Sequence, residues 1–186
     1  MSLLQPYLEK AEKYHGHICS GQILGIRMAL LGLKLLGLKP EDDLRDLVVF
    51  LETDRCVADA AYVVTGITVG RRRVKMHSYG KTAMSFLDLK SGKAYRIAVK
   101  TSDRPPHGDP KDKQVAFWEK RTDEDIFAWQ EVAVTLSDGD LPGPPVSVVV
   151  CSVCGEDVLD RKEVLKDGQV MCRACAEGAY YRPIGA

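Results

Sequence analysis

Four of the six cysteines stand near the C-terminal end as two pairs, each with two residues between its cysteines. The pairs are Cys151 with Cys154 and Cys172 with Cys175, and seventeen residues separate them. This spacing is typical of a tetrahedral zinc site, because each short loop lets two thiolates reach one ion. Two disulfides or four free thiols are the alternatives. Four thiolates complete the coordination shell of zinc, so the pattern predicts a closed, structural site with no open position for chemistry.

Length and charge limit the rest of the chain. It has 186 residues and no net charge, which fits one ordinary domain with a small additional module and argues against nucleic-acid binding. Residues 1–14 lack the basic start and apolar core of a signal peptide. The longest apolar segment, residues 23–38, is interrupted by Arg27 and Lys34 and is too short to cross a bilayer. We therefore expect a cytoplasmic protein without membrane insertion, in a reducing compartment that favours metal-bound thiols over disulfides.

Hydrophobic periodicity predicts an α+β fold in which a mixed or antiparallel sheet packs with helices. Helices and strands do not alternate regularly, which argues against a doubly wound sheet. The Pro- and Gly-rich segment within 137–147 predicts a linker, so we expect a main domain over 1–140 and a four-cysteine zinc-ribbon or treble-clef module over 148–186. The expected elements are helices over 3–14, 21–36 and 55–65, strands over 47–52, 84–89 and 95–99, a loop over 103–112 and helical segments over 114–134.

A second set of metal-ligating residues lies in the main domain. His15, His17 and Cys19 fall within five residues, and in an extended segment all three side chains point to one side. In a helix they would diverge. Cys56 follows a predicted strand at the start of a predicted helix, a position where ligands and catalytic groups are common. Two Cys and one or two His at these junctions would form a metal site, whereas ordinary buried side chains are the alternative.

Three segments carry a resemblance to a known family. They are His15-Gly16-His17-Ile18-Cys19-Ser20-Gly21 with 25–28 (GIRM), residues 52–60 (ETDRCVADA) with Thr65-Gly66, and residues 80–83 (GKTA). These segments resemble the motifs of the FmdE family of formylmethanofuran dehydrogenase proteins, in which many members also carry a C-terminal zinc ribbon. The resemblance implies an α+β fold, a homodimer and a metal ion. It implies the ligands His17, Cys19 and Cys56, with His15 as a further candidate.

The chain departs from the family pattern at several positions. Ser20 stands where the family usually has Pro, and Ile67 stands where it often has a further Cys. Arginines occupy 71–73, where a Gly-Lys-Gly-Asn type of segment is common. If the missing Cys is a ligand in relatives, the site here has one donor fewer and is weaker, more open or specific for a different metal. We expect zinc as the second metal, with nickel and iron as alternatives.

Two functions follow as hypotheses. The first is a metal-binding subunit or accessory protein of a tungsten or molybdenum formylmethanofuran dehydrogenase-type oxidoreductase system in one-carbon metabolism. Asp54, Asp59 and Lys81 are candidates for supporting roles there, and no catalytic residue is identified. The alternative is a non-enzymatic metal sensor or adaptor that uses the zinc module for protein contacts. This module has five Lys and Arg against six Asp and Glu, which disfavours nucleic acid, whereas Tyr180 and Tyr181 suit a protein interface.

Overall fold

A computed structural model describes residues 3–106 and 108–184. The chain divides into two compact units, Met1–Val134 and Thr135–Ala186. Within the described residues, no helix has the length and apolar character needed to cross a membrane. The helices of the first unit are α1 (Gln5–His15), α2 (Ser20–Leu36), α3 (Val57–Thr65), α4 (Lys111–Glu119) and α5 (Asp123–Ile126), and a 3₁₀ turn spans Val69–Arg71.

A five-stranded sheet supports these helices. Its strands are β1 (Leu47–Leu51), β2 (Val74–Met76), β3 (Ala83–Asp88), β4 (Ala94–Val99) and β5 (Phe127–Glu131). Their order across the sheet is β2-β1-β3-β4-β5. Strands β1 and β2 pair in parallel, whereas every other neighbouring pair is antiparallel. This mixed sheet with packed helices confirms the predicted α+β class.

The core lies between the sheet and helix α2, against which α1 and α3 also pack. Alternate strand residues such as Leu47, Val49 and Phe86 point to the same face and are buried there. Helix α2 is apolar around most of its circumference, as expected for a helix enclosed by its own domain. A Cβ atom at Gly32 would lie 2.4 Å from the Phe86 ring, so glycine lets this helix approach the sheet closely.

Two strands differ from the sequence expectation. The helical pattern predicted over 114–134 is wrong beyond α5, because Phe127–Glu131 is strand β5. A capping box between Thr122 and Asp125 starts the short α5, and the following strand pairs with β4 and buries Phe127. Strand β2 was not predicted, because a short edge strand carries only a weak apolar signal.

The described part of the second unit contains a 3₁₀ turn (Asp138–Asp140), two small hairpins and one short helix. In it, β6 (Val148–Val150) pairs with β7 (Asp157–Leu159), and β8 (Val164–Lys166) pairs with β9 (Gln169–Met171). Helix α6 (Arg173–Glu177) follows directly. The cysteine pairs flank these elements, one between β6 and β7 and the other from the end of β9 into α6. Each hairpin has only three residue pairs, which is too few for a hydrophobic core of ordinary size.

Candidate metal centres

The first candidate centre lies where three helix ends meet. His15 is the last residue of α1, and Gly16 follows it with φ +89°, in the left-handed region that favours glycine. This turn redirects the chain so that Cys19 becomes the N-cap residue of α2. Cys56 immediately precedes the first residue of α3. Both thiols therefore lie at the positive ends of helices.

Close packing of α2 against α3 brings the two thiols together. A Cβ atom at Gly21 would lie 2.9 Å from the Cys56 Cβ and 3.6 Å from the Cys19 Sγ. One turn further on, a Cβ atom at Gly25 would lie 2.5 Å from the Ala60 Cβ. Real Cβ atoms do not approach other atoms so closely, so these positions require glycine. The sequence thus encodes the helix contact that positions both sulfur atoms.

His15, Cys19 and Cys56 form a group whose potential ligand atoms all lie within 4.8 Å of one another. The His15 Nδ1 lies 2.7 Å from the Asp59 Oδ2, so the carboxylate accepts the Nδ1–H. The His15 Nε2 is buried and has no hydrogen-bond partner in the part of the chain that the structure describes. A carboxylate on one ring nitrogen and a free lone pair on the other is the usual arrangement of a metal-binding histidine.

The Cys56 thiol is a poor anion without a cation nearby. Burial raises the pKa of the Cys56 thiol, and the adjacent Cys19 raises it further. A bound metal ion offsets this penalty because thiols coordinate as thiolates. Two sulfurs and an imidazole suit zinc, nickel, cobalt or iron. Three protein donors also leave at least one coordination position open.

The other predicted residues of the main domain lie around this group. His17 is exposed, its ring centroid is 4.8 Å from that of His15, and it is not part of the three-residue group. Its role as a ligand stays a prediction. Asp59 holds His15 as described above, whereas Lys81 lies with its Nζ 6.0 Å from the centroid of the Tyr79 ring. Asp54 is exposed.

One buried polar residue beside the thiols was not predicted from the sequence. Gln22 is fully buried on α2, and its Nε2 donates to the Cys56 carbonyl oxygen at 2.6 Å. This bond ties the first turn of α2 to the backbone at Cys56. A glutamine directly before the apolar segment of α2 was the available signal, since a polar side chain is seldom buried without a specific partner.

The second candidate centre comprises the four C-terminal cysteines. Their sulfur atoms lie within 4.8 Å of one another, and the Cys154 and Cys172 sulfurs are 4.0 Å apart. The Cys172 backbone N–H donates to the Cys151 Sγ at 3.2 Å, and the Cys175 N–H donates to the Cys172 Sγ at 3.4 Å. Such N–H···S bonds orient and stabilise thiolates. The donor set therefore fits a closed tetrahedral zinc site.

Electrostatics within this tetrad favour a bound cation. Backbone N–H groups of Cys154 and Cys172 lower the pKa of Cys151 to about 6. In contrast, the neighbouring Cys172 thiol raises the pKa of Cys175 to about 12. Four thiolates cannot share this space without a positive ion because each disfavours ionisation of the next. A zinc ion removes this conflict and links the two hairpins.

Comparison with known proteins identifies both parts of the chain. Residues 14–136 match the family described as "FmdE, Molybdenum formylmethanofuran dehydrogenase operon". The chain belongs to the FmdE family. The match includes His15, Cys19 and Cys56, which confirms the resemblance seen in the motifs. Residues 145–181 match the prokaryotic dksA/traR C4-type zinc finger, and this range contains all four C-terminal cysteines.

Two relatives extend this comparison. A curated Archaeoglobus fulgidus protein named "Probable S-adenosyl-L-methionine-binding protein" is 27% identical over 213 residues, covering 99% of this chain. The chain spans about half, 56%, of that relative's length. The crystal structure of an FmdE-like tungsten formylmethanofuran dehydrogenase protein from Syntrophus aciditrophicus has a TM-score of 0.60 and 24% identity, covering 96% of this chain and 94% of that one. At this identity the likeness establishes the fold alone.

Proposed function

We propose that this FmdE-family protein binds a transition-metal ion through His15, Cys19 and Cys56. Zinc is the first candidate, and nickel and iron are alternatives. The observation that carries the proposal is the His15 imidazole, which is held by Asp59 at Nδ1 while its buried Nε2 has no partner among the described residues and lies with two thiols. A structural zinc ion in the C-terminal tetrad completes the proposed metal content.

An ion at the main-domain site would supply Lewis acidity at an open coordination position. The surrounding residues have separate tasks. Asp59 fixes the tautomer and the orientation of the imidazole ring. Gln22 fixes the backbone at Cys56, and the start of α2 fixes the position of Cys19 as its N-cap residue. The ligand set is therefore preorganised by neighbours that do not touch the ion.

We further propose that the protein acts as a subunit or accessory protein of a tungsten or molybdenum formylmethanofuran dehydrogenase-type oxidoreductase system. The family description and the likeness to the FmdE-like protein of Syntrophus aciditrophicus support this assignment. A cytoplasmic location and a homodimer stay predictions, and sedimentation analysis of the purified protein tests the dimer. Affinity purification of the chain from its native cells tests the system, because formylmethanofuran dehydrogenase activity should be retained with it.

Metal analysis tests the main-domain site. The purified chain should contain two metal equivalents, and His15→Ala or Cys56→Ser should each reduce this to one. His17→Ala is the matched control, since it removes a neighbouring exposed imidazole outside the three-residue group. Loss of metal only in the His17 variant would move the ligand role to His17. Two equivalents retained in both the His15 and the Cys56 variants would refute the site.

An adaptor or metal-sensing role is the second candidate function, and an exposed apolar face of the zinc module favours it. Val148 and Val150 lie on one side of β6, Leu159 faces Val148 across the hairpin, and all three are exposed. Exposed apolar strand faces of this kind are typical of protein contacts. In an adaptor, replacement of these side chains by Thr should abolish partner binding, whereas Cys56→Ser should leave it unchanged.

The Archaeoglobus fulgidus relative suggests a ligand for testing. Its name states S-adenosyl-L-methionine binding, and we carry this ligand class to the chain as a proposal only. The aligned region covers nearly the whole chain, which supports testing the 186-residue chain rather than a fragment of it. Equilibrium dialysis with S-adenosyl-L-methionine gives a direct answer.

A further inference from the structure

A pocket of about 510 Å³ lies beside the main-domain metal group. Asp59 joins the two, because it lines the pocket and also accepts the Nδ1–H of His15. This volume falls within the range of about 300–1,000 Å³ that is typical of small-molecule sites. Its lining residues include Tyr14, Asp54, Asp59, Tyr62 and Met76.

The charge of the walls is of one sign. The described lining residues include the carboxylates of Asp54 and Asp59 and no lysine, arginine or histidine. The Asp54 side chain has no hydrogen-bond or ion-pair partner among the described residues, so its charge is available to a ligand. An anionic ligand would be repelled here. A neutral ligand would displace water from the Asp54 carboxylate without supplying a positive charge to replace it.

Aromatic and aliphatic side chains, Met76 among them, form the rest of the pocket. The Tyr14 and Tyr62 rings pack with their centroids 4.5 Å apart. The Lys10 Nζ lies 5.8 Å from the Tyr62 centroid, so this ring already interacts with a cation. With that ammonium counted, the two carboxylates still give these pocket residues a net negative charge. Aromatic rings beside carboxylates and apolar walls are the features that recognise quaternary ammonium and sulfonium groups.

We propose that this pocket binds a small organic cation with an apolar body, with Asp54 and the two tyrosines as its recognition residues. The proposal deepens the proposed metal function, because Asp59 places the ligand next to the ion. Cation binding itself does not require the metal, since Asp54, Tyr14 and Tyr62 are not ligands of the three-residue group. The two ideas can therefore fail separately.

Calorimetry on the metal-loaded 186-residue chain tests the charge requirement. Choline and 3,3-dimethyl-1-butanol have the same shape and differ in charge, so choline should bind at least about tenfold more tightly. S-adenosyl-L-methionine and S-adenosyl-L-homocysteine make the same comparison for a sulfonium against a neutral thioether. Tighter binding of the cation than of its neutral isostere in one pair identifies that type of cation as the ligand class. Equal affinity, or no binding, within both pairs would overturn the proposal.

Paired variants test the location. Asp54→Asn removes the unpaired carboxylate without changing side-chain size, and it should weaken cation binding about tenfold. Asp46→Asn is the control, because Asp46 is exposed and lies outside the pocket while the charge change is identical. Tyr14→Leu should weaken binding of the cation more than binding of its neutral isostere. General damage to the fold would weaken binding of both equally. An effect of Asp46→Asn equal to that of Asp54→Asn would overturn the assignment.

Metal content is measured on the same samples. Asp54→Asn should retain both metal equivalents, which shows that lost cation binding does not arise from a lost ion. Cation binding in a protein that retains only the tetrad metal would refute the main-domain metal site and leave the pocket intact. The opposite result, two metals without preference for cations, would refute the pocket and leave the metal site intact.

Discussion

The close contact between α2 and α3 provides a sharp test of how the metal group is built. Gly25→Ala adds a Cβ atom 2.5 Å from the Ala60 Cβ, 2.7 Å from the Val57 carbonyl oxygen and 3.1 Å from the Val57 Cα. Carbon atoms pack at about 3.5–4.0 Å, so the helices must separate by about 1 Å. Two of the three neighbours are backbone atoms, which cannot rotate away. The strain therefore falls on the packing of the two helices.

The expected energy change combines two opposing effects. Overpacking a core contact costs about 1–3 kcal/mol, whereas replacing Gly by Ala within a helix gains about 1 kcal/mol. We expect a net destabilisation of up to about 2 kcal/mol. For a unit of this size, that corresponds to a decrease in Tm of up to about 8 °C. The same separation moves Cys19 away from Cys56, so metal affinity should decrease as well.

Thermal unfolding and metal titration measure both effects. Gly70→Ala is the control, because among the described residues no atom beyond its two chain neighbours lies within 4 Å of its added Cβ, and its φ is not in the left-handed region. Its Tm should be unchanged or slightly higher. A Gly25→Ala protein with unchanged Tm and unchanged metal affinity would show that the helix contact does not position the thiols, and the reasoning would be refuted.

Three further predictions test other contacts. Glu52→Gln should lower the free energy of unfolding at neutral pH by about 2–4 kcal/mol, because the buried Glu52 carboxylate accepts two bonds from Arg96, at 2.6 and 2.8 Å. The bonds from Arg96 hold the pKa of Glu52 below its usual value, so the pair stabilises the fold above a pH of about 4.3. This contribution disappears as the pH falls through the folded-state pKa, and denaturant titrations should show a flatter acid profile for the variant. Asp59→Asn should weaken metal binding about 10–100-fold through its loss of the His15 contact, measured by competition with a chelating dye. Chelation of zinc should expose amides of 148–177 to hydrogen exchange while β3 and β4 stay protected, because structural zinc supplies about 10–16 kcal/mol to such modules.

Local sequence signals predicted much of this chain. The four C-terminal cysteines form their group because two short loops specify it, and their spacing alone was sufficient. Helix α2 and the β3–β4 hairpin were also predicted from apolar periodicity and turn residues. In each case residues close in sequence supply the decisive contacts. The α+β class followed from the order of these elements.

Non-local contacts account for what the sequence did not reveal. Strand β5 follows a helical pattern in the sequence, yet pairing with β4 outweighs that local preference. Among the histidines, His15 joins the thiols because α1 continues to this residue before Gly16 turns the chain. An extended segment would have presented His15, His17 and Cys19 on one side. No local sequence pattern predicts where the end of a helix will contact a residue from a distant part of the chain.

Helix α3 connects the metal group with the pocket. Cys56 lies at its start, and Asp59, three residues later, holds His15 and lines the pocket. Tyr62 continues the same face by a further three residues and provides the aromatic wall. One helix therefore carries a ligand, the carboxylate that orients a second ligand and a recognition side chain. Because Gly25 sets how closely this helix lies against α2, a displacement at that contact should change metal affinity and cation affinity together, whereas Asp54→Asn should change cation affinity alone.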